Sequence, residues 1–193
     1  YPLSREEVVK LFVGHTDEHD IIVSTTGKLS RELFEAREAC GQGHEKDFLT
    51  VGSMGHSSMI AMGIAREKKE RRVFCLDGDG AALMHMGSLA VAGSAQLENF
   101  VHVLFNNGAH ETVGGMPTVS EKIDYLEIAK ACGYENIYTA GTEEEVISLF
   151  EKIAQAKGSV FAEVKTNLLS RADLGRPTTT PVQNKQAFME FLK

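Results

Sequence analysis

The sequence predicts an α/β fold, a doubly wound and mainly parallel sheet with helices on both faces. Two short apolar runs, Val73 to Leu76 and Val101 to Phe105, are continuous rather than alternating, as in strands buried on both sides. Strand-like and helix-like segments alternate along the whole chain. The stretch between those two runs, Leu83 to Leu97, is helix-like and has the length of the crossover that joins parallel neighbours.

The elements follow in order. Ser4-x-x-Glu7 has the form of a capping box and predicts a first helix over Arg5 to Val13. Ile21 to Ser24 reads as a short buried strand, and Ser30 as the N-cap of a helix that runs to Cys40 and closes at Gly41. Phe48 to Val51 is a second strand, followed by a helix from His56 to Glu67 with small or flexible packing groups at Met59, Ala61, Met62 and Ala65. Arg66 to Arg72 is the densest basic stretch, but glutamates interrupt it and it reads as a solvated helix end. Beyond the two central strands, Tyr125 to Ala131 reads as helix and Ile137 to Thr139 as strand. A second capping box, Thr142-x-x-Glu145, opens an amphipathic helix with Val146, Leu149, Phe150 and Ile153 on one face. Val160 to Val164 is the last strand. Leu168 to Pro181, with its prolines and threonines, reads as an irregular excursion before a terminal helix over Val182 to Leu192.

With 193 residues there is enough chain for one full core, so a single domain over 1–193 is expected. A net charge of −7 without a basic cluster argues against a nucleic-acid surface. No apolar run approaches the roughly 18 residues of a membrane span, and no signal peptide opens the sequence. Cys40, Cys75 and Cys132 lack metal-type spacing and read as reduced thiols of a cytoplasmic protein.

The chemistry concentrates where the two central strands end. Asp77-Gly78-Asp79-Gly80 follows the first and Asn106-Asn107 the second, so parallel pairing places a carboxylate beside a carboxamide at one sheet end. A hard divalent cation such as Mg2+ takes oxygen ligands, one or two of them protein carboxylates, and fills its octahedron with phosphates and water. Asp79 and one of the two asparagines suit that need. Gly78 and Gly80 allow close backbone approach to a phosphate, and a helix starting near Ala81 would aim free N–H groups at it. A Gly-Asp-Gly turn that happens to lie beside an Asn-Asn strand end is the plainer alternative. A dinucleotide fingerprint is excluded, because it needs glycine where Leu83 stands.

These residues resemble the signature of the thiamine-diphosphate enzymes, Gly-Asp-Gly followed some two dozen residues later by Asn-Asn; here 25 residues, 81 to 105, intervene. Three longer runs, Ser24-Thr25-Thr26-Gly27-Lys28, Val51-Gly52-Ser53-Met54-Gly55-His56 and Asn106 to Gly115, resemble the phosphonopyruvate and sulfopyruvate decarboxylase branch over about Asp20 to Phe161. The resemblance implies a thiamine-diphosphate-binding fold, with thiamine diphosphate and Mg2+ as cofactors. It places the metal ligands at Asp79, Asn107 and the Ala109 carbonyl. It assigns the diphosphate to Thr26, Gly27, Lys28, Gly78, Gly80 and Ala81, and the ring side of the cofactor to Gly52, Ser53 and Met54, with Met54 as the apolar wedge. Thr25 to Lys28 also point to a diphosphate on their own, through hydroxyls, backbone N–H groups and an ammonium after the first strand, with a capped turn bearing a surface lysine as the plainer alternative. Without the resemblance, Met54 would read as a core methionine.

The implied reaction is decarboxylation of a small anionic 2-keto acid: 3-phosphonopyruvate to phosphonoacetaldehyde, with sulfopyruvate as the near alternative. His110 is the candidate for proton transfer or for binding an anionic substrate, since an imidazole titrates near working pH, and Glu111 is a second candidate acid. Related pyruvate decarboxylases carry an acidic residue where this chain has Val113, so their proton relay does not transfer directly. Lys28 and Arg31 are candidates for a dianionic substrate tail, Arg31 being otherwise a solvated helix residue. His15, His19 and His44 read as surface residues, and His85 and His102 as core histidines. His56 lies near a cofactor-facing run. The family's activating glutamate belongs to a pyrimidine-binding domain that is not identified in this chain. A partner domain on the same or a neighbouring chain is therefore expected, as is a homo-oligomer; the start at Tyr1 fits a segment of something larger. A noncatalytic metal-diphosphate binding module is the reading from another class.

Overall fold

The computed structural model describes residues 1–193. Six strands form one parallel sheet: β1 (Ile21–Ser24), β2 (Asp47–Leu49), β3 (Val73–Gly78), β4 (Phe100–Asn106), β7 (Asn136–Ala140) and β8 (Val160–Lys165), in the order β2-β1-β3-β4-β8-β7. Two further strands, β5 (Ala109–His110) and β6 (Met116–Pro117), make a small antiparallel ribbon outside it. The helices are α1 (Arg5–Gly14), α2 (Lys28–Ala39), α3 (Ser57–Glu67), α4 (Asp79–Met84), α5 (Gly87–Ser94), α6 (Tyr125–Ala131), α7 (Glu143–Gln155) and α8 (Pro181–Phe191). None is long and apolar enough to cross a membrane.

The apolar runs do what continuous hydrophobicity requires: every residue from Val73 to Asp77 and from Phe100 to Phe105 is buried. Alternate side chains enter two separate cores. Ile22, Phe74, Leu76, Val101, Val103 and Phe105 pack under α1, α2 and α7. Ile21, Val23, Cys75, Phe100, Leu104 and Phe161 pack under α3, α5, α6 and α8. Both expected capping boxes form, at Ser4/Glu7 and Thr142/Glu145, and a third at Thr180/Gln183 starts α8 with Pro181 in the first turn.

This strand order creates the binding geometry. From β1 the chain moves outward to β2, then returns to β3 on the other side of β1. The connection after β1 leaves through α2 on one face, and that after β3 leaves through α4 and α5 on the other. A crevice therefore opens at the carboxyl ends of β1 and β3, the topological switch point where open α/β sheets bind ligands. Leu76 of β3 pairs with Ser24 and with Val103, so the segments after β1, β3 and β4 end side by side.

Several local expectations are corrected. Ser30 is not the N-cap of α2, because Gly27 takes that place with φ +126°, a conformation L side chains rarely adopt. Ser30 lies inside the helix, and its hydroxyl donates to the Thr25 carbonyl at 2.7 Å. The helix expected over Leu83 to Leu97 is two helices: His85 leaves helical geometry at φ −137°, ψ 51°, and Gly87 would cost about 1 kcal/mol inside a continuous helix. The first of them begins at Asp79, not near Ala81. His85 is consequently exposed at the break rather than in the core, 4.2 Å from the ring of exposed His56. His44 is half-buried and stacks on Phe34 at 3.7 Å, and burial lowers its pKa. The second strand starts and stops earlier than expected, with Asp47 gripped by the buried Arg37 guanidinium at 2.9 and 3.0 Å.

Candidate functional site

A small cleft of about 60 Å³ lies at the switch point. It brings together Thr26 and Lys28 after β1, Met54 from the loop before α3, and Gly78, Asp79, Gly80 and Ala81 where β3 turns into α4. Asn107, Ala109, His110 and Glu111 after β4 complete this set. Of the other expected site residues, Gly27 faces a neighbouring cavity, and Gly52 and Ser53 are exposed in the loop and do not line the cleft.

Asp79 is buried, and its two carboxylate oxygens are used differently. Oδ2 accepts hydrogen bonds from the Thr118 hydroxyl at 2.6 Å and the Ser120 hydroxyl at 2.7 Å, while Oδ1 has no protein partner. Tyr125 donates to the Asp79 carbonyl at 3.1 Å, and burial pushes this phenol up to about 12, so it remains a donor. Asp77, the first acid of the motif, is occupied on the other layer by its own Gly78 N–H and by His102, which also contacts Tyr134.

The two asparagines separate cleanly. Asn106 donates to Glu163 at 2.7 Å and does not line the cleft. Asn107 does line it: its Nδ2 donates to Glu111 and its Oδ1 accepts from the Ala109 N–H at 3.1 Å, which fixes the amide orientation and leaves Oδ1 a second lone pair. Opposite Ala109 in the ribbon stands Pro117. The Thr118 N–H bonds the Gly108 carbonyl at 2.8 Å, so Ala109 and Pro117 form a non-hydrogen-bonded pair and the Ala109 carbonyl receives no ladder bond from β6.

The electrostatics of the lining favour a cation accompanied by an anion. Asp79 and Glu111 are offset by Lys28 and by Arg5, and Arg5 is already bidentate on Glu32 at 2.7 and 2.8 Å. The lining therefore carries no net positive charge to balance a diphosphate, and a divalent cation is the missing counter-charge. The donor set suits the anion otherwise. The N-terminus of α2 has no side-chain cap, and Thr25, which also lines the cleft, has a buried hydroxyl without a partner. Residues and charge thus fit a diphosphate held through a divalent metal.

Glu111 is the most connected group. Its oxygens accept from Lys28 at 2.9 Å, Arg5 at 2.7 Å, Asn107 at 3.2 Å and, by a short bond, Ser170. Burial alone would raise its pKa, but the Ser170 hydroxyl, Arg5 and Lys28 together hold it below the ordinary 4.5. A carboxylate so held is ionised at neutral pH and positions Lys28 rather than donating a proton. Because the folded value is depressed, its contribution to stability is complete above the unfolded value and is lost as pH falls through the folded one. Glu111→Gln should therefore flatten the acid limb of a stability profile taken by chemical denaturation between about pH 7 and about pH 3. An acid limb identical to that of the unchanged protein would contradict this linkage.

His110 packs against Gly80, where a Cβ would fall 2.4 Å from the ring atoms Cε1 and Nδ1. The glycine is needed there for space rather than for backbone freedom. The structure also recruits residues that the sequence did not single out. Arg5 comes from the first helix, Thr118 and Ser120 from the segment after the ribbon, and Ser170 from the irregular excursion. No local pattern marks them, because each acts by reaching across the fold.

Comparisons with known proteins agree with this geometry. The family described as thiamine pyrophosphate enzyme, C-terminal TPP binding domain, matches residues 26–164. A phosphonopyruvate decarboxylase of Streptomyces hygroscopicus is 34% identical over 170 residues, 88% of this chain and 41% of that protein. Sulfopyruvate decarboxylase subunit beta of Methanocaldococcus jannaschii is 32% identical over 194 residues, 100% of this chain and 98% of the subunit. The crystal structure of benzoylformate decarboxylase from Polynucleobacter necessarius shares the fold, with a TM-score of 0.72 at 16% identity over 88% of this chain and 34% of that one. The chain thus spans less than half the length of the phosphonopyruvate decarboxylases it matches and almost all of the subunit beta. The match over residues 26–164 settles the family: this chain belongs to the thiamine pyrophosphate enzymes, as their C-terminal TPP binding domain.

Proposed function

We propose that this chain is the diphosphate- and Mg2+-binding part of a thiamine-diphosphate-dependent 2-keto acid decarboxylase, a carboxy-lyase that converts 3-phosphonopyruvate to phosphonoacetaldehyde and CO2. The observation that carries the reading is Asp79, pinned through Oδ2 by Thr118 and Ser120 with Oδ1 turned to no protein group, next to Asn107. Asp79, Asn107 and the Ala109 carbonyl hold the metal in this account. Thr25, Thr26, Gly27, Lys28, Gly78, Gly80 and Ala81 receive the diphosphate, and the loop Gly52-Ser53-Met54 receives the ring side. When bound, thiamine diphosphate supplies the nucleophilic carbon and the electron sink for the pair left by departing CO2. His110 moves the proton. Glu111 keeps Lys28 and Asn107 in place.

Sulfopyruvate decarboxylation is the second reading, supported by the 32% identity to a sulfopyruvate decarboxylase subunit beta. Identity does not separate the two, at 34% and 32%.

The activating glutamate is assigned to a pyrimidine-binding domain on the same or a separate chain. The 193-residue chain alone should therefore show no decarboxylation of phosphonopyruvate, sulfopyruvate or pyruvate, and should gain activity toward one of the first two when mixed with such a partner. Turnover by the purified chain free of any partner would refute this division of labour. Cofactor binding without turnover in any combination would instead favour a noncatalytic metal-diphosphate module.

A further inference from the structure

Beside the cofactor cleft, and sharing Thr26 with it, lies a larger cavity of about 290 Å³ between the start of α2, the end of β2 and the segment leading into α8. Its lining contains two arginines, Arg31 and Arg176, and no acidic residue. This distribution is unusual for the molecule. Of the eight arginines, Arg5, Arg37, Arg72 and Arg171 are tied to carboxylates and Arg71 to backbone carbonyls. Only Arg31, Arg66 and Arg176 have no bonded partner, and two of these three meet in one cavity. In a chain of net charge −7, two guanidiniums free of any carboxylate mark a place kept for an external anion. Thr179, in the same lining, adds a buried hydroxyl without a hydrogen-bond partner.

We infer that Arg31 and Arg176 form a second oxyanion site, distinct from the diphosphate cleft, that holds the tetrahedral anionic tail of the keto acid substrate. The assignment of the tail to a substrate rests on the decarboxylase reading above. Lys28, the other cation expected to serve such a tail, is engaged by Glu111 and Ser170 and belongs to the diphosphate cleft. Two guanidinium forks match the three oxygens and double charge of a phosphonate better than a single ammonium does. Thr26 is shared with the diphosphate cleft, and Val51 in the same lining directly precedes the ring-side loop Gly52-Ser53-Met54, so the tail lies beside the end of the cofactor at which a three-carbon acid reacts. The same chemistry would also accept free phosphate.

The test has two arms. Titrating the chain with methylphosphonate, followed by NMR, should give saturable shifts at Arg31, Arg176 and Thr179, and Arg31→Gln/Arg176→Gln should weaken binding roughly 10- to 100-fold. In the protein assembled with its pyrimidine-binding partner, the same double variant should lower the ratio of kcat/KM for phosphonopyruvate or sulfopyruvate over pyruvate by a similar factor. Arg66→Gln, an unpaired arginine outside the cavity, should leave that ratio unchanged. Methylphosphonate binding that the double variant does not weaken overturns the site. Phosphate binding lost in the double variant with an unaltered substrate ratio overturns the substrate-tail assignment and makes free phosphate the ligand. Lost association with the partner, with anion binding intact, overturns the proposal in favour of a docking role. If no keto acid is turned over at all, the decarboxylase reading fails, and the NMR arm still decides the oxyanion site.

Discussion

Asp79→Asn should weaken Mg2+-dependent thiamine-diphosphate binding by at least about a hundredfold while leaving the fold intact. Groups that merely orient a metal ligand cost 10- to 100-fold in affinity when removed, so loss of the one carboxylate in the metal set lies at or beyond the top of that range. The substitution keeps the shape of the side chain. It also leaves Thr118 bonded to Ser120 at 2.7 Å and Ser120 close to Tyr125, so the supporting network is not orphaned. Calorimetric titration of the assembled protein reads the effect, and circular dichroism with a thermal melt checks the fold. Unchanged cofactor affinity in a folded variant would remove Asp79 from the metal site.

His110→Ala should lower turnover of the preferred keto acid by about two to four orders of magnitude, the usual cost of a lost proton-transfer group, with a much smaller effect on cofactor affinity. The ring lines the cleft but makes no hydrogen bond to another residue, so the histidine supports neither the metal ligands nor the diphosphate donors directly. Gly80→Ala offers a second route to the same question, because its Cβ would displace the ring without removing it. If the imidazole position is what matters, the double variant, compared at saturating cofactor because Gly80 also faces the diphosphate, should be no worse than His110→Ala alone, the non-additivity expected of groups acting as a unit. Near-normal turnover of His110→Ala at saturation would make His110 a packing residue and pass the proton transfer to the partner domain.

The fold was legible because its determinants are local. Continuous apolar runs located β3 and β4, and capping boxes located α1 and α7 to within a residue. Where reading failed, a backbone feature or a long-range contact decided. Apolar composition made Leu83 to Leu97 look like one helix, and the break at His85, which put a supposed core histidine on the surface, follows from backbone angles that composition does not encode. Ser30 has the chemistry of an N-cap, but a glycine able to adopt φ +126° three residues earlier started the helix first.

The site shows the same division. Asp79, Asn107, Lys28 and His110 share a cleft because each follows or ends a strand of one parallel sheet, a placement that strand order alone implies. The residues that tune them come from afar. Arg5 reaches Glu111 across 106 residues, Ser170 reaches it across 59, and Ser120 reaches Asp79 across 41. Such partners carry no spacing signal and emerge only when the chain is folded. The pairing of Arg31 with Arg176 is of this kind, since one lies on α2 and the other precedes α8.

The central claim is that this cleft takes a diphosphate only through a divalent cation, because its own positive charges are already spent on Glu111 and Glu32. Titration of thiamine diphosphate into the protein assembled with its pyrimidine-binding partner, once with Mg2+ and once with EDTA, tests this directly. The account predicts saturable binding with Mg2+ that is lost in EDTA and restored by adding the cation back. Equal affinity in the presence of EDTA, or no binding in either condition, would contradict it.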